Sequence, residues 1–238
     1  MKEGLNMLHI EQFRYGDNLG YLIFGKTEAM AIDGGAWQEI LVFLETHKLT
    51  LKFITNTHQH YDHTSGNEQL LRKTKAQFLN SPTLADNQEI IIDGAAVIVY
   101  RTPGHTSDSI CFHTGNILVT GDTLFNATIG NCFSGDQKSF YSSIKRLMAL
   151  PDETKVYAGH DYVRDSLAFA KHLEPDNKEI DSFRNSYDPD YVYSTLADER
   201  KINPYLRFNE ESIINLLKKN HLSHATEWER WSSLMSIE

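Results

Sequence analysis

Apolar positions come in short blocks through the first 160 residues and at helical spacing after them. Residues 21–24 and 29–32 are apolar runs either side of a polar break, which predicts two strands joined by a hairpin-like turn. Asp33, Gly34 and Gly35 stop the second run. Trp37, Ile40, Leu41 and Leu44 then recur at helical spacing, so residues 37–47 predict an amphipathic helix. Residues 51–54 return to strand. Residues 88–101, 109–112 and 116–120 predict further strands, the last two joined by a turn at residues 113–115. Residues 137–150 predict a helix that Pro151 stops, and residues 155–158 a last strand. Beyond His160 the pattern predicts helices over 165–173, 210–219 and 227–235, with little strand signal and with Pro175, Pro189 and Pro204 in the connections.

This order gives an α/β domain of residues 1–162 followed by a helical segment, residues 163–238. Length and hydrophobic content suit a folded protein with a full core. The net charge of −9 argues against a broad nucleic-acid surface. Cys111 and Cys132 are too few for a disulfide framework and fit a reducing compartment. The N-terminus lacks the apolar core of a signal peptide, and no run approaches the ~20 apolar residues of a membrane span. A cytoplasmic monomer without membrane or nucleic-acid partners is expected.

The chemistry concentrates in residues 57–63, where His58, His60, Asp62 and His63 crowd together. Such groups are costly to desolvate unless their lone pairs are used. In an extended segment His58 and His60 point to the same side and can face one ion. Asp62 and His63 follow where the chain turns into a helix, and can face a neighbouring ion. Three later residues, His105, Asp122 and His160, each follow a predicted strand, where rigid scaffolds present functional groups. His58, His60 and His105 would hold one metal, Asp62, His63 and His160 a second, and Asp122 would bridge them. Histidine and carboxylate without thiolate suit zinc, iron or manganese. The remaining histidines, among them His9, His47, His113, His172, His221 and His224, read as structural or exposed, and Cys111 as core.

With these motifs in this order the chain resembles the metallo-β-lactamase superfamily, and within it the hydroxyacylglutathione hydrolase (glyoxalase II) family. Residues 121–125, 150–152, 156–162, 167–170 and 174–175 are similar to that family, as are residues 194–200 and 203–207 of the helical segment. The resemblance implies a four-layer αββα sandwich with a small helical C-terminal substrate-binding domain. It implies two divalent ions per chain and hydrolysis of an S-lactoylglutathione-type thiolester to a hydroxy acid and glutathione, part of methylglyoxal detoxification. It also implies that Tyr162, Asn131 and Phe133 contact substrate. Asn131 stands where the family usually has a basic residue, and only Arg230 stands near the family's C-terminal basic pair.

A hydroxide bridging the two ions would attack the carbonyl, with Asp62 and Asp122 acting through the metals. A thiolester suits such a site, because a thiol of pKa about 8.5 leaves as thiolate without a general acid. The alternatives are another small thiolester, or a persulfide dioxygenase with one iron in the same fold.

Overall fold

The computed structural model describes residues 7–237, so part of the N-terminal stretch read for a signal peptide lies outside the described residues. The first sheet joins β1 (His9–Tyr15), β2 (Asn18–Phe24), β3 (Glu28–Ile32), β4 (Thr50–Thr55) and β5 (Gln77–Phe78), side by side in that order. The second contains β6 (Glu89–Ile92), β7 (Ala95–Arg101), β8 (Ile110–Thr114), β9 (Ile117–Gly121), β12 (Lys155–Ala158) and β13 (Ser194–Thr195). Its spatial order is β13-β12-β9-β8-β7-β6, and β10 (Leu124–Phe125) and β11 (Thr128–Ile129) form a separate small hairpin. The helices are α1 (Trp37–His47), α2 (Tyr61–Thr64), α3 (Asn67–Lys73), α4 (Gln137–Met148) and α5 (Val163–Leu173), then α6 (Lys178–Ser186), α7 (Leu196–Ile202), α8 (Glu211–Lys219) and α9 (Glu227–Leu234). Among the described residues no helix is long and apolar enough to cross a membrane.

Period-two burial builds the layers. Leu19, Tyr21 and Ile23 of β2 meet Ile110, Phe112, Ile117, Val119 and Tyr157 in a core between the sheets. Their neighbour Leu22 faces the other way and packs with Ala29, Ala31, Ile40, Leu44 and Leu70, which seats α1 and α3 on the first sheet. Cys111, Leu118 and Val156 likewise face outward from the second sheet, against Phe140, Ile144 and Leu147 of α4 and Trp231 of α9. The order of layers is therefore α-β-β-α. The C-terminal helices close one edge, where Val163, Leu167, Ala170, Ile180 and Ile202 join the central core.

Strand direction brings the functional loops together. β7 and β9 both run antiparallel to β8, and β12 pairs parallel to β9 with Ala158 beside Gly121. The C-terminal ends of all three strands thus share one edge, which β4 reaches from the first sheet. Backbone bonds tie the sheets there: the Ile110 amide donates to the Thr57 carbonyl and the Leu19 amide to the Gly159 carbonyl, each at 2.8 Å.

Several elements escape the sequence pattern. The edge strand β1 has only one buried residue, Phe13, so its apolar signal is weak. Short α3, α6 and α7 are mostly polar, and α7 is set by a capping box of Thr195 and Asp198 rather than by periodicity. β13 pairs in the segment read as helical, and β8 extends through Thr114, which moves the turn to the Gly115 region.

Candidate metal centre

β4 ends at Thr55, the chain bends at Thr57 and His58, and His60 caps α2 with extended backbone at φ −64° and ψ 145°. His58 and His60 turn the same way, and His58 Nε2 and His60 Nδ1 lie 2.8 Å apart. The loop after β7 brings His105 Nε2 to 3.1 Å from His60 Nδ1. Asp62 and His63, on α2, face His160 from the loop after β12: His160 Nε2 stands 3.4 Å from Asp62 Oδ2, and His63 Nε2 3.6 Å from the same oxygen. Asp122 lies between the two sets. Its Oδ1 is 3.3 Å from His63 Nε2, and its Oδ2 is 3.5 Å from both His105 Nε2 and His160 Nε2. All seven residues marked in the sequence therefore meet, as one group of His58, His60, His105 and Asp122 and another of Asp62, His63 and His160.

The outer hydrogen bonds set the tautomers, as inferred from each nitrogen's partner. His63 Nδ1 donates to Asp33 at 3.0 Å, and His105 Nδ1 to the Asn131 carbonyl at 2.9 Å. The Thr57 hydroxyl donates to Asp33 at 2.7 Å and so accepts from His58 Nδ1 at 3.1 Å. The Nε2 atoms of three imidazoles thus turn inward, those of His58 and His105 to His60 Nδ1 and that of His63 to Asp122 Oδ1. His63 Nε2 and Asp122 Oδ1 are buried with no hydrogen-bond partner. Lone pairs gathered this way repel unless a cation or a proton stands among them, so the donor set fits divalent metal ions.

The titration behaviour agrees. Burial, with the charge of His63, pushes His58 down to about 4, and burial also lowers His105. Burial works against a charged His63 too, but the Asp33 and Asp122 carboxylates outweigh it and push this imidazole up to about 11. Asp122 is held well below the usual carboxylate range: burial opposes its charge, and the adjacent His160 and His63 imidazoles overcome that. Without metal, His63 therefore keeps its proton at neutral pH, and a cation must displace it. Metal uptake is expected to release at least one proton per chain, counted by calorimetry in buffers of different ionisation enthalpy. Proton-free uptake would contradict a charged His63.

Backbone space is equally specific. Gly121 holds φ +50°, and a Cβ there would collide with the Thr57 side chain. At Gly159 a Cβ would run into Asp122 Oδ1 and His63, so only glycine lets β12 approach.

Two aromatic rings flank the donors. Phe133 is 68% exposed, with its ring 5.2 Å from His105 and 5.9 Å from His60. Tyr162 stacks parallel on His160 at 4.9 Å and also touches Phe125. A cleft of about 440 Å³ opens beyond Tyr162, lined by Phe125, Ile129, Asn131, Phe169, Tyr205 and Ile237 among others.

Comparison with known proteins decides the family. The profile of the metallo-beta-lactamase superfamily matches residues 16–87 and 78–160, and that of the hydroxyacylglutathione hydrolase C-terminus matches residues 161–235. A hydroxyacylglutathione hydrolase of Pseudoalteromonas translucida is 34% identical over 228 residues, covering 89% of this chain and 88% of that protein. One from Chromohalobacter salexigens is 34% identical, covering 80% and 82%. The chain belongs to the hydroxyacylglutathione hydrolase family. Solved structures agree on the fold. The crystal structure of ETHE1 from Myxococcus xanthus superposes with a TM-score of 0.68 at 24% identity, covering 96% of this chain and 97% of that one. TTHA1623 in a di-iron-bound form gives 0.61 at 21% identity, covering 83% and 100%.

The cleft is poor in positive charge. Among the described residues no lysine or arginine lines it, and Asp165 and His172 are its acidic and imidazole groups. Asn131 turns its carbonyl to His105 and leaves its side chain exposed. Arg230 is spent on Asn209 at 3.1 Å and the His224 carbonyl at 3.0 Å, and Arg207 on Glu174 at 2.7 and 2.9 Å. Lys138 and Lys219 line other grooves.

Sequence reading missed Asp33, Thr57 and Asn18, whose side chain donates to Asp62 Oδ2 at 2.8 Å. In the sequence Asp33 reads only as a strand stop. Its burial at the end of β3, beside β4, where Thr57 and His63 donate to its carboxylate, is a tertiary fact with no signal in the local sequence.

Proposed function

We propose that this chain hydrolyses a glutathione-derived thiolester of the S-lactoylglutathione type to a hydroxy acid and glutathione, with two divalent ions per chain. The observation that carries this reading is the inward-facing set of seven donors in a chain of this family. His58, His60 and His105 would hold one ion, Asp62, His63 and His160 the other, and Asp122 would serve both. Ions held by these residues would supply a nucleophile from water near neutral pH and polarise the substrate carbonyl. Zinc fits these nitrogen and oxygen donors, as do iron and manganese.

The protein's own work is orientation. Asp33, through His63 and Thr57, and the Asn131 carbonyl keep the imidazole protons on the outside. Asn18 fixes the Asp62 oxygen. Phe133 and Tyr162 border the donors and would flank the substrate, with residues 1–162 carrying the chemistry and residues 163–238 giving a wall of the cleft. No side chain is needed as an acid, because the thiolate departs unprotonated. The complete second donor group, Asp62, His63 and His160, favours this reading over an oxygenase with a single iron.

The test is hydrolysis of S-D-lactoylglutathione by protein purified with its native metals, alongside metal content. Turnover with about two ions per chain is expected. Two ions without turnover would discard glutathione and leave another small thiolester. Because no lysine or arginine among the described residues lines the cleft, each missing charge-assisted bond to a substrate carboxylate weakens binding by about 1.5–3 kcal/mol, roughly ten- to hundredfold. KM is therefore expected well above the micromolar range, and a micromolar KM would refute weak recognition.

A further inference from the structure

Glu199 on α7 is completely buried, yet it lies outside the donor set. Both its oxygens accept the Ala127 amide at 3.0 Å, and Oε2 also accepts the Asn203 side-chain amide at 2.7 Å. Ser194 donates to it as well. Burial pushes this carboxyl up to about 7 against those donors, so nothing but these bonds compensates its desolvation.

Ala127 is an unusual residue to find there. With Asn126 it forms the two-residue turn between β10 and β11, and its φ of +69° is a left-handed value that favours glycine or asparagine. Two more side chains of the C-terminal segment grip the same tip. Asn126 donates to the Ser194 hydroxyl at 2.7 Å, and Asn203 donates to the Thr128 carbonyl at 3.0 Å. The legs of this hairpin lead straight to the metal centre. Asp122 precedes β10, and Asn131 follows β11 with its carbonyl on His105 Nδ1. Phe125, on β10, packs against the His160 and Tyr162 rings.

We propose that Glu199 is a positioning residue: by accepting the strained Ala127 amide, its carboxylate anchors the β10–β11 hairpin and thereby sets Asp122 and His105 for metal. The C-terminal segment then supports the donor set as well as walling the cleft. This rests on the two-ion reading above.

The experiment titrates cobalt(II) into metal-free protein against a chromophoric chelator, with the unfolding midpoint in urea and kcat and KM as companion readouts. Wild-type protein is expected to take up two equivalents. Glu199→Gln keeps the shape but turns a donor towards the hairpin, and is expected to weaken uptake of at least one equivalent by about tenfold or more, as loss of outer support does. In kinetics the loss falls on kcat rather than KM. Adding Ala127→Gly to that variant is expected to recover most of the affinity, since glycine takes the left-handed turn unaided. A residue that merely filled the core would show no such rescue. Wild-type affinity in Glu199→Gln, or a loss that Ala127→Gly leaves untouched, overturns the inference. If Glu199→Gln does not accumulate folded, Ser194→Ala, which cuts the link from Asn126, is expected to weaken uptake in the same direction, and unchanged uptake there is equally adverse. Wild-type protein that binds no metal would instead sink the two-ion reading, and this inference with it.

Discussion

Asp122→Asn is expected to lower kcat/KM for S-D-lactoylglutathione by about three orders of magnitude or more. The carboxylate borders both donor groups, 3.3 Å from His63 on one oxygen and 3.5 Å from His105 and His160 on the other. An amide of the same shape presents one neutral oxygen and a pair of protons, so it cannot balance two cations and it points a donor at an imidazole. Because Asp122 stays charged against strong burial, the fold has already committed its neighbours to an anion there. Steady-state kinetics with metal analysis of the purified variant checks this. A variant with a full metal complement and activity within about tenfold of wild type would show that Asp122 does not bridge the site.

The second large effect is expected from Asp33→Ala, at a residue outside both donor groups. Its carboxylate takes the Thr57 amide at 2.8 Å, the Thr57 hydroxyl at 2.7 Å and His63 Nδ1 at 3.0 Å, all away from solvent. Truncation strands three buried donors, and breaking such a pair typically costs about 3–5 kcal/mol. Against a total stability of roughly 5–15 kcal/mol the urea midpoint should fall visibly, and metal affinity by about ten- to hundredfold. Asp33 also holds φ +52°, so Asp33→Asn, which tolerates that backbone, separates the lost charge from the lost conformation. The pH dependence carries a sign. His63 is raised from 6.5 to about 11 in the metal-free fold, so its stabilisation is complete below 6.5 and fades as pH rises through 11. Metal-free wild type should lose stability across that window, and Asp33→Ala should lose much less of it. Wild-type metal affinity and stability in Asp33→Ala would refute the relay.

The donor set was legible because metal ligation needs particular atoms at particular chain positions. The cluster of His58, His60, Asp62 and His63 is local, and His105, Asp122 and His160 each stand just past a strand, so spacing alone exposed all seven. The strand and helix pattern alone gave an α/β class; the sandwich came with the family resemblance, and the structure shows the buried residues of β2, β3, β8 and β9 sorting to two faces. Elements that owe their form to capping or edge pairing left little trace: β1 buries only Phe13, and short α7 sends Leu196 and Ile202 to two different cores with a buried glutamate between them, so neither shows a run of one period.

By itself the sequence determined which donor groups this protein carries and an α/β order of elements, since ligand chemistry and apolar spacing are written residue by residue. Only the tertiary structure decided what surrounds those groups. Asp33 beneath His63 and Thr57, Asn18 on Asp62, Glu199 under the β10–β11 hairpin and a cleft free of lysine and arginine all join residues distant in the chain. A hydrogen bond between strangers in sequence has no spacing to announce it, and exists only once packing has brought its donor and acceptor within reach.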